Sequence, residues 1–230
     1  MQRKIEFAIG EYYHIYSRGI EKRKIFEDSN DYLRFLVLLY LCNSSQEVHL
    51  GDHIQRGFPL EDLFNEQLPD NLVSIGAYCL MPNHFHLLIR EKIEGGISTF
   101  MKKLLTGYSM YFNKKNERTG PLFEGRFKAI HVGEDRYLEY LFSYIHLNPI
   151  KLIDHDWRGN KNFDHKEARN FLDTYFYSSY SFYSGHHHQE NKILDNQSFP
   201  EYFQEEKDFK SFIDSWLNFS EEEAGIYRQD

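Results

Sequence analysis

The sequence predicts an α+β protein, and three observations carry that prediction. Two β-type runs, Leu72 to Met81 and His84 to Arg90, are separated only by Pro82-Asn83, a spacing that implies an antiparallel pair. From Ile97 to Lys115 the apolar residues Ile97, Phe100, Met101, Leu104, Leu105, Tyr108, Tyr111 and Phe112 recur at helical spacing on one face. The predicted elements alternate as β-α-β-β-α-β-α, an order that matches a ferredoxin-like core: one antiparallel sheet with helices packed on one face.

Each element has its own justification. Glu11 to Gly19 is rich in aromatic and β-branched residues and ends at a glycine, which predicts the first strand. Asp28-Ser29-Asn30-Asp31 supplies N-cap side chains for an apolar helix from Asp31 to about Cys42. Asn43 to Asn71 is polar and punctuated by Gly51, Gly57, Pro59 and Pro69, so it reads as a long connection holding a short helix around Pro59 to Glu66. Gly95-Gly96 separates the strand pair from the long helix. Gly125 to Val132 reads as the fourth strand, and Asp135 to about Asn148 as a helix that Pro149 ends. Beyond it, Lys166 to Tyr175 is a helix candidate, and no internal repeat is visible.

The bulk composition sets limits. At 230 residues, with 41% hydrophobic and 17% aromatic residues, the chain forms one domain, or one with an appendage, around a sizeable core. No apolar run is long enough to span a bilayer, and the start of the chain lacks a secretory hydrophobic region. Cys42 and Cys79 lie in apolar stretches without a Cys-x-x-Cys partner, which predicts reduced core residues of a cytoplasmic protein rather than a structural zinc site. The net charge of −8 is uneven. Asp195 to Asp230 carries ten acids against three bases, whereas Met101 to Val132 carries seven Lys or Arg against two Glu. Phosphate binding depends on local basic surface, so that segment is a candidate DNA track.

The residues with most chemical content are His84-Phe85-His86. In a strand, residues i and i+2 share a face, so both imidazoles point one way and Phe85 the other. Two rigidly held nitrogen donors make half of a divalent-metal site, although the spacing alone fits two strand histidines satisfied locally equally well. Tyr144 and Asn148 stack at i and i+4 on one helical face. Asn148 offers a carbonyl oxygen as a third ligand for Mg²⁺ or Mn²⁺, and Tyr144 a phenol able to attack phosphorus. Spacing alone favours the plainer alternative of a core tyrosine and a helix-terminal asparagine.

Four blocks bear on that choice: His14 to Gly19; Tyr78 to Ile89; Gly120 to Ala129, reading Gly-Pro-Leu-Phe-Glu-Gly-Arg-Phe-Lys-Ala; and Tyr144-Ile145-His146-Leu147-Asn148-Pro149, with a weaker fifth at Ser178-Ser179-Tyr180, followed by Tyr183 and Gly185. In these blocks, spanning roughly Tyr12 to Gly185, the chain resembles the IS200-like Y1 transposases. It is most similar to the REP-associated tyrosine transposases of the HUH (His-hydrophobic-His) endonuclease superfamily. The resemblance implies a ferredoxin-like domain that cleaves single-stranded DNA near imperfect hairpins. His84, His86 and Asn148 would hold the metal, and Tyr144 would form a 5′-phosphotyrosine that a 3′-hydroxyl later resolves. No nucleotide cofactor is then needed, in keeping with the lack of a Gly-x-x-x-x-Gly-Lys loop. Relatives act as monomers or homodimers.

Arg126 and Lys128 alternate with Phe127 on the predicted fourth strand and are candidate phosphate contacts, as is Arg18. Lys102, Lys103, Lys114 and Lys115 on the long helix are candidates too, or simply solvated. His14 is either a neighbour of the site or a hydrogen-bonded sheet histidine; His146, two residues from Tyr144, points elsewhere and is not expected to be a ligand. His186-His187-His188 reads as a solvated loop. The expected organisation is a catalytic domain over 1–185 and an acidic extension over 186–230. In that extension, Glu201 to Phe219 has the pattern of an amphipathic helix, and its acids are candidates to shield the basic track. Two competing readings are a domesticated protein that binds hairpins without cutting, and a hydrolase using water as nucleophile.

Overall fold

The computed structural model describes residues 5–47, 50–51, 56–200 and 206–218. A four-stranded antiparallel sheet, in the order β2-β3-β1-β4, organises the chain. Its strands are β1 (Tyr12–Arg18), β2 (Val73–Met81), β3 (His84–Glu91) and β4 (Lys128–Val132), and its principal helices α1 (Ser29–Leu41), α2 (Gly96–Lys115) and α3 (Asp135–Leu147). The α+β ferredoxin-like expectation holds. Asp28 caps α1 by accepting from the Asp31 N–H at 3.1 Å, as its residue type predicts.

Strand periodicity sorts the two faces. Tyr13, Ile15, Phe85, Leu87 and Ile89 point to a core shared with Phe35 and Leu39 of α1 and Phe100, Leu104 and Tyr108 of α2. Ala77, Cys79, Met81, Leu88 and Val132 point to the opposite face, against Leu138, Leu141 and Ile145 of α3. Packing on one face therefore describes the two helices inside the β-α-β-β-α-β unit. The helix after β4 crosses over, because its apolar stripe is needed to cover a second face that is equally apolar.

The C-terminal segments complete that second layer. They include α4 (His165–Thr174), a single turn α5 (Tyr180–Tyr183) and α6 (Glu206–Leu217). Phe209, Ile213, Trp216 and Leu217 of α6 are buried in the core that holds α3. The amphipathic pattern read over Glu201 to Phe219 thus appears as a helix from Glu206 onward. Residues 201–205 and 219–230, with most of the acidic charge expected to act as a shield, lie outside the described residues, as do six residues of the Asn43 to Asn71 connection. The short helix expected there is a 3-10 helix, Leu60–Asn65. Among the described residues no helix is long and apolar enough to cross a membrane, and both cysteines are free and buried.

Candidate active site

The site forms where the ends of β1, β3 and β4 meet the last turns of α3. In the antiparallel register Arg18 lies opposite His84 and Tyr16 opposite both His86 and Lys128. Alternation then puts His14, Tyr16, Arg18, His84, His86 and Lys128 on the α3 face. A cavity of about 280 Å³ is lined by Tyr16, Arg18, His84, His86, Glu124, Arg126, Lys128 and Tyr144, together with Ser17 and Asn83.

Within it the two histidines stand with ring centroids 5.0 Å apart and nearly perpendicular. Their Nδ1 atoms are both engaged: that of His84 lies 2.6 Å from Asn83 Oδ1, and that of His86 lies 2.8 Å from His14 Nε2. With Nδ1 of each ring so engaged, Nε2 is the nitrogen left for coordination, and both residues line the cavity. Burial lowers His84 to about 4, with the nearby charges of Lys151 and Arg18 adding to the effect, and an opposing contribution from the Asn148 amide. Burial likewise lowers His14 to about 3 and His86 well below its usual value. All three rings are therefore neutral near pH 7, the form that coordinates metals.

Tyr144 faces this pair from α3, its ring centroid 5.4 Å from that of His86 and 6.2 Å from that of His14. Asn148, one helical turn on, is 2% exposed. Neither its Oδ1 nor its Nδ2 has a hydrogen-bond partner of good geometry. The amide interacts with His84 but without a well-formed hydrogen bond, which is costly in a buried position, and a cation held with His84 and His86 would engage its oxygen. Among the described residues no three His, Cys, Asp or Glu side chains converge as a metal site, so an amide is the third protein donor the local chemistry offers. The residues present fit a divalent ion.

Other residues expected from the sequence are distributed more widely. Arg126 lines the cavity but precedes β4 in an irregular turn, where Gly125 has φ +72°; the strand alternation expected from Gly125 onward begins only at Lys128. Phe127 nonetheless turns into the α1–α2 core, leaving Arg126 and Lys128 on the site. Arg18 is paired through Nε and Nη2 with Glu124, at 3.2 and 3.0 Å, an acid the charge reading did not place here. Lys102, Lys103, Lys114 and Lys115 lie on α2, which packs against the sheet face opposite the histidines. Lys115 is bound to Asp28 and the fully buried Asp31, and Lys103 to the backbone oxygens of Ser44 and Gln46.

Lys151 was not singled out in the sequence, and the role of the Ser178-Ser179-Tyr180 block was not evident there. Lys151 follows the Tyr144 helix in a 3-10 turn, Asn148–Leu152, and places its Nζ 5.2 Å from the Tyr144 ring centroid. The block at Ser178-Ser179-Tyr180 holds α3 down. His146 donates from Nδ1 to Phe142 O at 2.8 Å, and its Nε2 meets Ser179 Oγ at 2.7 Å, which also accepts from the Tyr78 N–H. His146 thus points away from the site. The three consecutive histidines at 186–188 are exposed.

The strand histidines His84 and His86, with Phe85 turned to the opposite core and Tyr144 facing them from the helix after β4, form the arrangement expected of the transposases that the sequence resembles. The chain belongs to the family of IS200-like transposases, whose profile matches residues 10–148. A solved REP-associated tyrosine transposase, bound to a REP hairpin, is similar at 13% identity with a TM-score of 0.47, over 83% of this chain and 90% of that one. No curated protein matches the sequence.

Proposed function

We propose that the protein is a metal-dependent single-stranded DNA endonuclease and strand transferase acting at hairpin elements, with Tyr144 as nucleophile. The observation that carries the reading is the placement of the Tyr144 ring against His86, across a cavity rimmed by Arg126 and Lys128. Family membership supplies the transposase-like DNA role.

In this reading His84, His86 and Asn148 hold the divalent ion, Mg²⁺ or Mn²⁺. When bound, that ion polarises the phosphoryl oxygens and offsets the charge that develops on them. Arg126 and Lys128 orient the phosphate by charge-assisted contacts. Tyr144 Oη attacks phosphorus, the bond to the 3′ oxygen breaks, and the leaving strand takes up a proton as a 3′-hydroxyl. The protein is left joined to the 5′-phosphate. Because the phosphoester is conserved in that adduct, attack by a 3′-hydroxyl of the same or another strand rejoins DNA without a nucleotide cofactor. Lys151, beside the Tyr144 ring, stabilises the phenolate during both steps.

The test is adduct trapping with a diverse pool of single-stranded hairpins plus Mn²⁺ or Mg²⁺. The expected result is a denaturation-resistant, slower-migrating band that requires metal and vanishes in Tyr144→Phe. Metal-dependent binding with no band would instead indicate a hairpin binder that does not cut. Cleavage that persists in Tyr144→Phe would indicate a hydrolase using water.

A further inference from the structure

We infer that His14 is a positioning residue for the metal site, accepting a hydrogen bond from His86 so that the Nε2 lone pair of His86 faces the cavity. The inference rests on the reading of His84 and His86 as ligands.

The two candidate ligands solve the same problem differently. Each must keep a proton on Nδ1 if Nε2 is to coordinate, and a buried Nδ1–H needs an acceptor. His84 finds one in the residue before it, since Asn83 Oδ1 is 2.6 Å away. His86 has no such local option, because Phe85 precedes it and turns to the α1–α2 core. Its acceptor comes from the neighbouring strand. His14 sits diagonally across the β1–β3 register, with Leu88 as its direct partner, and brings Nε2 to within 2.8 Å of His86 Nδ1. Both side chains are buried, each 6% exposed.

Two neutral imidazoles share one proton along that line, and the two arrangements differ in function. With the proton on His14, His86 carries its own proton on Nε2 and presents an N–H to the cavity, where it cannot bind a cation. With the proton on His86 Nδ1, Nε2 is bare. His14 therefore supports coordination by being an acceptor, and it does so without touching metal or DNA.

The experiment measures Mn²⁺ binding to the full chain by calorimetry for the wild type, His14→Phe, His14→Gln and His86→Ala, with thermal melts as the folding control. Phe fills the ring volume without an acceptor; Gln restores an oxygen at comparable reach. The expected result is a loss of about 10–100-fold in Mn²⁺ affinity in His14→Phe and recovery to within about threefold of wild type in His14→Gln. If His14→Phe binds Mn²⁺ like the wild type while His86→Ala does not, the positioning role is overturned and the metal reading stands. If the wild type itself binds no Mn²⁺, the metal reading fails and this inference with it. Should His14→Phe fail to fold, long-range ¹H–¹⁵N spectra of the metal-free wild type decide: His86 protonated on Nδ1 with His14 Nε2 bare supports the role, and His86 protonated on Nε2 with the proton on His14 Nε2 refutes it.

Discussion

Replacing Phe209 by Ala tests whether the acidic C-terminal segment is part of the catalytic core. Phe209 is fully buried, and its ring lies 5.3 Å from those of His146, Tyr180 and Tyr183 and 6.1 Å from that of Phe142. Truncating a buried Phe to Ala costs about 3–5 kcal/mol, the larger values arising where neighbours cannot collapse into the cavity. Here the neighbours belong to α3 and α5, themselves seated on the sheet, so the upper half of the range is expected. For a domain of this size each kcal/mol moves Tm by about 2–4 °C, which predicts a drop of about 8–20 °C. Urea unfolding followed by circular dichroism would give the free energy directly. Lys210→Ala, on the exposed side of the same helix, should stay within about 0.5 kcal/mol. A loss below about 1 kcal/mol for Phe209→Ala would refute the packing argument, because a docked ring cannot be removed so cheaply.

Two further substitutions separate structural lysines from candidate DNA contacts. Lys115→Met leaves the buried Asp31 with only the Tyr111 hydroxyl, at 2.8 Å, and the Glu27 N–H, also at 2.8 Å. Half-exposed Lys115 is worth less than a fully buried partner, so a loss of about 1–3 kcal/mol in urea unfolding is expected, with DNA affinity unchanged. Lys128→Ala should do the reverse: stability unchanged, weaker binding of single-stranded DNA, and a salt dependence shallower by about 0.7, the contribution of one phosphate contact.

Which residues of the candidate site share a face was legible from short-range periodicity, whereas the chemical roles expected of them came from the family resemblance. His84 and His86 share a face at spacing two, and Tyr144 and Asn148 at spacing four, whatever the rest of the fold does. What was not legible depends on long-range register or on competition between partners. That His14 serves His86 follows only once β1 is paired with β3 in one register. That the lysines of α2 lie behind the sheet follows from Phe85, Leu87 and Ile89 turning to α2, whereas charge counting merged them with Arg126 and Lys128 into one track. Lys115 looked like a phosphate contact because its partner Asp31, 84 residues earlier, served in the sequence only as a helix-start signal. The crossing of α3 to the second face was likewise hidden, since an apolar stripe does not say which side of a sheet it will cover.

That crossing bears on whether Tyr144 serves its own chain. Only Gly133-Glu134 separates β4 from α3, and two residues give the helix little freedom to swing away. To reach a second molecule, α3 would have to lift Leu138, Leu141, Phe142 and Ile145 off the sheet and off α6, where Trp216 packs on Tyr140 with ring centroids 5.6 Å apart. Opening α3 exposes four buried apolar side chains at about 6–12 kcal/mol, a barrier to exchange comparable to the whole stability of a typical domain, about 5–15 kcal/mol. The two-residue connection leaves little length for α3 to re-form those contacts on a second molecule. Tyr144, as the proposed nucleophile, is therefore expected to act in cis. Mixing Tyr144→Phe with His86→Ala should restore no adduct, each variant lacking half of its own site. Recovery towards about a quarter of the wild-type yield, the share expected if random dimers each assemble one composite site, would mean that α3 is exchanged and re-forms these contacts on the partner chain.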